Sequence, residues 1–428
     1  MARVTGLAGL FGRRRFAIRP GTGRISALLA RMGHPEQGFR AIHVVGTNGK
    51  GSTAAFLSTI LTAAGYRTGL FTSPHLINYT ERFRIDGTDI DAARLDRLIS
   101  HLLSIAGPDD TFFELTTALA CCYFAENRVE VAILEAGMGG KADATAAITA
   151  EATVVTPISL DHGQWLGSTV AAIAAEKAGI AETGSPVICA PQQPEALAAI
   201  RSYCHGNLNR LLLAGHDFQA HWEANHRLAY RDARHSLSGM QPGIPGSYQC
   251  WNAACALATA ELLTGSGLAI SAEALVTGIN TAYWPGRMER FTLPNGSELL
   301  LDGAHNPAGA TALAECLRHD QANRSITLVL GVMADKELEP ILAALLPLAE
   351  HVITVAPNQE RSLAADRLAA LCADHGCNAV SGGTVEQGIA LARRNTQTND
   401  LIVVAGSLFT VGEARALLTG QICNALRG

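Results

Sequence analysis

The run Ala41-Ile-His-Val-Val45 is short and apolar, and Gly46-Thr-Asn-Gly-Lys-Gly-Ser52 breaks it at once. A helical pattern over Ser52–Ala64 follows and stops at Gly65. Strand, glycine turn and helix in that order constrain the fold more than any other feature. The order predicts a β–α unit in a parallel sheet, with the turn at a strand end. The pattern then recurs. Arg67–Phe71, Val129–Leu134 and Thr153–Ile158 read as strands, and Leu115–Glu126 and Val170–Ala178 as helices.

Residues 216–247 change character, and Gln241-Pro-Gly-Ile-Pro-Gly246 is a loop cluster. Short antiparallel strands are expected there, then helices near 248–264 and 271–281. The breaker-rich stretch Tyr283-Trp-Pro-Gly-Arg287 reads as the end of a first domain. Beyond it the alternation resumes. Glu298–Leu301, Ile326–Leu330, His351–Val355 and Leu401–Ala405 read as strands, and Ala308–Arg318 as a helix. A chain of 428 residues exceeds one compact core. The expected fold is α/β in two domains. Residues 1–287 form a P-loop-type, mostly parallel sheet with flanking helices, and residues 288–428 a smaller Rossmann-like α/β domain.

The loop carries chemistry as well as a turn. Backbone N–H groups at a helix N-terminus hold anions, and glycines let a phosphate approach. Lys50 can reach terminal phosphates, and the hydroxyl of Ser52 or Thr53 is suited to a magnesium ion. Gly51 separates Lys50 from Ser52, so the spacing departs from the common phosphate loop. An ordinary glycine turn is the competing reading, and a lysine inside the turn with two hydroxyls after it weighs against that. Glu135, at another strand end, is a candidate Mg²⁺ ligand, and Asp161-His162 follows a third strand end. Each alone could be a loop residue. Together they read as a nucleotide and metal site.

Charged residues make up 17% of the chain and the net charge is −5. The one basic run, Arg13-Arg14-Arg15, is short, so a nucleic-acid partner is not expected. No apolar run reaches the ~20 residues of a membrane span. No signal-type segment is visible at the N-terminus. A soluble, cytoplasmic protein is the expectation. The ten cysteines form no C-x-x-C pair and read mostly as free thiols.

A series of motifs now points further. Gly46-Thr-Asn-Gly-Lys-Gly-Ser-Thr53, Thr72-Ser-Pro-His-Leu76, Tyr79-Thr-Glu-Arg82, Leu134-Glu-Ala-Gly-Met-Gly-Gly140, Leu160-Asp-His162, Trp165-Leu-Gly167, Glu176-Lys-Ala-Gly-Ile180, Gly286-Arg287 and Asp302-Gly-Ala-His-Asn-Pro307 stand in that order. The series resembles the folylpolyglutamate synthases and dihydrofolate synthases of the Mur-ligase-like superfamily, from about residue 20 to the end.

The resemblance implies a ligase that phosphorylates a pterin or folate carboxylate with ATP and couples it to L-glutamate. It implies that Gly46, Thr47, Asn48, Gly49, Lys50, Gly51 and Ser52 hold the ATP phosphates. Ser73 and Glu135 would ligate one Mg²⁺ and His162 a second. Lys177 matches a carbamylated lysine. Asn252, Arg287 and Asp302 resemble nucleotide contacts, and His305 and Ser407 resemble residues near the incoming glutamate. Thr111, Phe113, Ala142, Asp143 and Ala144 match positions that meet the pterin. Lys50, His162, Lys177 and His305 are the catalytic candidates. Dihydropteroate or a reduced folate, L-glutamate and ATP are the expected small-molecule partners. A monomer is expected, and a monovalent cation is a further candidate cofactor. Lys141 and Ala146 depart from the Arg and Asn usual in the family, and Arg19-Pro-Gly-Thr-Gly-Arg24 lacks the common Leu-Glu-Arg. These departures all fall on the pterin side. They leave room for a related Mur-like ligase acting on another carboxylic acid, or for a nucleotide-binding paralogue without catalysis.

Overall fold

A computed structural model describes residues 6–13, 21–161, 167–320 and 324–423. The first sheet is built from β1 (Arg40–Val45), β2 (Thr68–Phe71), β3 (Phe83–Ile85), β4 (Thr88–Asp89), β5 (Val131–Glu135), β6 (Ala152–Val155), β7 (Val187–Cys189) and β8 (Leu211–Leu213). Their spatial order is β4-β3-β2-β5-β1-β6-β7-β8. All neighbours are parallel except the β2–β3 and β3–β4 pairs. The central strands are apolar along their length because helices cover both faces of the sheet.

β1 pairs with β5 on one side and β6 on the other. The chain leaves β1 toward β2, beyond β5, and later returns to β6 across β1. The carboxyl end of β1 is therefore a topological switch point, where open α/β sheets bind ligands.

One face of the sheet carries the helix Lys50–Ala63, with helices Gln249–Gly265 and Ala272–Thr281 packed against it. Phe56, Leu57, Ile60 and Leu61 are fully buried there. Gly278 makes that packing possible, since a Cβ on it would lie 2.4 Å from the Ile60 Cα. The opposite face carries helices Ala92–Ile105 and Phe112–Glu126. A small antiparallel sheet, ordered β11-β10-β9, is made of β9 (Gln219–Glu223), β10 (Arg227–Arg231) and β11 (Ser236–Met240). Its apolar side, with Leu228, Tyr230 and Met240, joins the core around Gln249–Gly265.

The last sheet comprises β12 (Glu289–Thr292), β13 (Glu298–Leu301), β14 (Ile326–Leu330), β15 (His351–Ala356), β16 (Ala379–Thr384) and β17 (Leu401–Ala405), in the order β12-β13-β17-β14-β15-β16. Only the β12–β13 pair is antiparallel.

The structure shortens the expected strand Thr153–Ile158 the most. β6 ends at Val155, not at Ile158. Pro157 has no N–H for a ladder, and its carbonyl accepts from the Thr47 and Asn48 amides of the glycine loop. All ten cysteines are free. No helix among the described residues is long and apolar enough to cross a membrane.

Candidate active site

The glycine loop is clamped between β6 and the helix Gln249–Gly265. Gly46 has φ +149°, and a Cβ there would lie 2.0 Å from Thr156 Oγ1. Gly49 has φ +88°, and a Cβ there would lie 2.4 Å from Asn252 Oδ1. Neither position admits a side chain without strain. The Thr47 hydroxyl donates to Ser159 O at 3.1 Å. Asn252 Nδ2 donates to Gln249 Oε1, and Gln249 Nε2 to the Ser52 hydroxyl, so a polar chain ties the loop to its neighbouring helix. Lys50 folds over the loop, its Nζ donating to Gly46 O and Thr47 O at 3.2 Å each. The first N–H groups of helix Lys50–Ala63 have no intrahelical acceptor, which makes this an anion site.

Beside it lie the ends of β2 and β5. Glu135, the last residue of β5, is buried and accepts the Ser73 N–H at 3.2 Å. Burial raises its pKa, and Lys50, Arg287 and Arg82 pull it back. Ser73 precedes a cis peptide bond to Pro74. His75 is buried, and its Nδ1 accepts from Arg82 Nε at 2.9 Å.

Lys177, near the end of helix Val170–Ala178, is 4% exposed and donates to Met138 O at 3.0 Å. Burial, then the Lys50 charge, lowers its pKa to about 7. Gly140 brings the turn onto this helix, since a Cβ there would lie 2.2 Å from Glu176 O.

The last sheet supplies the other wall. Asp302 accepts from Tyr248 Oη at 2.8 Å and from the Met288 and Ala304 amides at 3.0 Å each. Arg287 packs against Gly303, where a Cβ would lie 2.1 Å from its Nη1. His305 Nδ1 donates to Gly303 O at 2.8 Å. Burial and Lys336 push its pKa down to about 4, so the ring is neutral with Nε2 as acceptor. Asn306 and Asn48 exchange two side-chain hydrogen bonds, joining the glycine loop to this wall. Lys336 pairs with Asp161 at 2.8 Å.

A cavity of about 330 Å³ lies between these walls. The loop Gly46–Ser52 lines it, as do Ser73, Glu135, Lys177, Asn252, Arg287, Asp302 and His305. His162 lies outside the described residues. The expected pterin-side residues stand apart from the cavity lining. Phe113 packs its ring on Gly137, where a Cβ would lie 2.6 Å from Cζ, and on Phe71 with centroids 6.1 Å apart. Thr111 caps helix Phe112–Glu126. Asp143 uses both oxygens on the Gly137, Met138 and Thr145 amides and the Thr145 hydroxyl. It therefore shapes the turn that carries Ala142 and Ala144. Ser407 caps helix Leu408–Thr419.

Sequence reasoning assigned no role to Tyr248, Gln249, Asn306, Lys336, His75 or Arg82. His75, Arg82 and Asn306 do lie inside the motif strings. Lys336 lies in none of them.

Two α/β sheets meet here over a phosphate loop. Residues 44–260 match the Mur ligase middle domain, and residues 286–408 the Mur ligase glutamate ligase domain. The Bacillus subtilis dihydrofolate synthase/folylpolyglutamate synthase is 35% identical over 96% of this chain and 97% of its own length. A probable bifunctional folylpolyglutamate synthase/dihydropteroate synthase of Halobacterium salinarum is 37% identical over 95% of this chain. This chain spans 50% of that relative's length. E. coli FolC in complex with DHPP and ADP superposes with TM-score 0.89 at 31% identity, covering 98% of this chain and 99% of that one. The Yersinia pestis bifunctional folylpolyglutamate synthase/dihydrofolate synthase, complexed with AMPPNP and Mn ion, gives 0.86 at 29% identity, covering 98% and 100%. The chain belongs to the folylpolyglutamate synthase/dihydrofolate synthase family.

Proposed function

We propose that this chain joins L-glutamate to the carboxylate of dihydropteroate or a reduced folate, converting ATP to ADP and phosphate. The observation that carries the reading is one cavity lined by Lys50, Glu135 and Lys177 from the first sheet and by Arg287, Asp302 and His305 beside the last. The relative solved with DHPP and ADP supports the same substrates.

In this reading the helix N-terminus and Lys50 hold the ATP phosphates, with Asn252, Arg287 and Asp302 on the nucleoside side. The acceptor carboxylate attacks the γ-phosphorus, the bridging P–O bond breaks, and ADP leaves. The acyl phosphate then reacts with the glutamate amine. A C–N bond forms, the C–O bond to phosphate breaks, and phosphate departs with the proton that the attacking nitrogen sheds. The glutamate ammonium first gives one proton to solvent, and His305, neutral and with Nε2 as acceptor, orients the resulting amine through an N–H. Ser407 sits at the same end, next to Leu408 in the cavity wall. Phe113 and the turn Ala142-Asp143-Ala144, with Thr111, form the pterin side. Positioning and charge neutralisation carry most of this chemistry.

A divalent ion fits the donor set. The Glu135 carboxylate and the Ser73 hydroxyl are hard oxygen ligands on adjoining strand ends, as Mg²⁺ requires. The relative solved with AMPPNP and Mn ion supports the same use. The ion would neutralise phosphate charge. Lys177, with a pKa of about 7, offers a neutral amine to CO₂. An N–C bond would form, one proton would leave, and a carbamate anion would replace the amine.

The test is ADP release by purified protein with MgATP, L-glutamate and either dihydropteroate or tetrahydrofolate. Release that depends on acceptor and glutamate supports the reading. Release no greater than background with both acceptors refutes it.

A further inference from the structure

His75 lines the cavity and takes no part in the chemistry described above. Its Nδ1 lies 2.9 Å from Arg82 Nε. A guanidinium only donates, so Nδ1 is the acceptor and the ring proton sits on Nε2. Arg82 is held firmly enough to impose this tautomer. It is 2% exposed, with the Tyr79 and Phe112 rings 5.3 and 5.6 Å from its guanidinium carbon. Nε2 has no protein acceptor among the described residues, and the ring lines the cavity. Its N–H therefore opens on the cavity.

The position matters as much as the tautomer. Two residues before His75, the Ser73 amide binds Glu135 at the phosphate end. On its other side the ring meets Tyr79 edge-on, with centroids 5.7 Å apart. Tyr79 belongs to an aromatic cluster with Phe83 and Phe112. His75 thus stands in the cavity wall beside the phosphate end, with the aromatic core behind it. In the ligase reading, on which this inference rests, that is where the acceptor carboxylate meets the γ-phosphate.

We propose that the His75 Nε2–H donates a hydrogen bond to the carbonyl oxygen of the acyl phosphate, and that Arg82 is the positioning residue that fixes its tautomer. When the glutamate amine attacks, the C–N bond forms and the carbonyl π pair moves onto that oxygen. The pair returns as the C–O bond to phosphate breaks. His75 keeps its proton throughout and stabilises the oxyanion as a fixed donor.

Two substitutions separate donor from bulk. Both Asn and Gln can accept the Arg82 hydrogen bond, and only Gln extends far enough to replace the Nε2 donor. His75→Asn should lower kcat by about 10²-fold, with KM for ATP within about twofold, because the nucleotide sits on the loop. His75→Gln should recover at least about tenfold of that loss. A His75→Asn rate within about threefold of wild type, or a His75→Gln rate no better than that of Asn, overturns the assignment. Long-range ¹⁵N–¹H correlation spectra of the wild type should show the Nε2–H tautomer of His75. The Nδ1–H tautomer overturns the role of Arg82. Wild type without acceptor-dependent ADP release refutes the ligase reading as well. An active wild type with an equally active His75→Asn refutes only the inference.

Discussion

Lys177→Met should make the protein more stable and less active. The folded protein brings the Lys177 pKa from 10.5 to about 7. At 1.36 kcal/mol per pH unit, that fall corresponds to about 5 kcal/mol of unfavourable ammonium burial below pH 7. The unfolded chain keeps this proton up to about pH 10.5, whereas the folded chain releases it near 7. Unfolded protein therefore binds more protons across that window, and wild-type stability rises with pH through it. Methionine keeps the apolar stem and removes the charge. It gives up the 3.0 Å hydrogen bond to Met138 O, worth about 1 kcal/mol. The variant should exceed wild type by about 3–4 kcal/mol at pH 7, with the advantage gone by about pH 10. Urea unfolding of both proteins in CO₂-free buffer at several pH values measures this. A difference that does not change with pH refutes the reasoning. Added bicarbonate should stabilise wild type and not the variant, since only the amine can form a carbamate. Short carboxylic acids should partly restore activity to Lys177→Ala.

Other perturbations reach different parts of the site. Lys50→Ala should lower ATP turnover by about 10²–10³-fold with an unchanged circular dichroism spectrum, and wild-type turnover would reject the phosphate role. Gly49→Ala forces a Cβ to within 2.4 Å of Asn252 Oδ1 at φ +88°. It should cost about 1–3 kcal/mol in unfolding experiments and weaken ATP binding by calorimetry. Asp302→Ala leaves Tyr248 Oη and two amides without their acceptor. A loss of about 3 kcal/mol in urea unfolding, and a raised KM for ATP, are expected.

The alternation of apolar runs and helical patterns made the central sheet legible, because β1, β2, β5 and β6 are buried on both faces. Strands of two or three residues such as β4 and β7 were not, since so short a run carries no period. β16, Ala379-Val-Ser-Gly-Gly-Thr384, was hidden by its two glycines and polar face. The glycine loop was readable because its residues serve local geometry. Its partners from the last sheet were not. The Asn48–Asn306 pair spans 258 positions and the Lys336–Asp161 pair 175. Nothing local marks either pair. Asp143 shows a further limit. Its carboxylate holds the turn it stands on, and no local pattern in the sequence shows which amides it takes.

In the proposed reaction one cavity activates a carboxylate as an acyl phosphate before the amine attacks. An acceptor labelled with ¹⁸O in both carboxylate oxygens tests it most directly. Turnover with MgATP and L-glutamate should move one labelled oxygen from the acceptor into the released phosphate. Phosphate that carries no label while the amide forms would exclude the acyl phosphate.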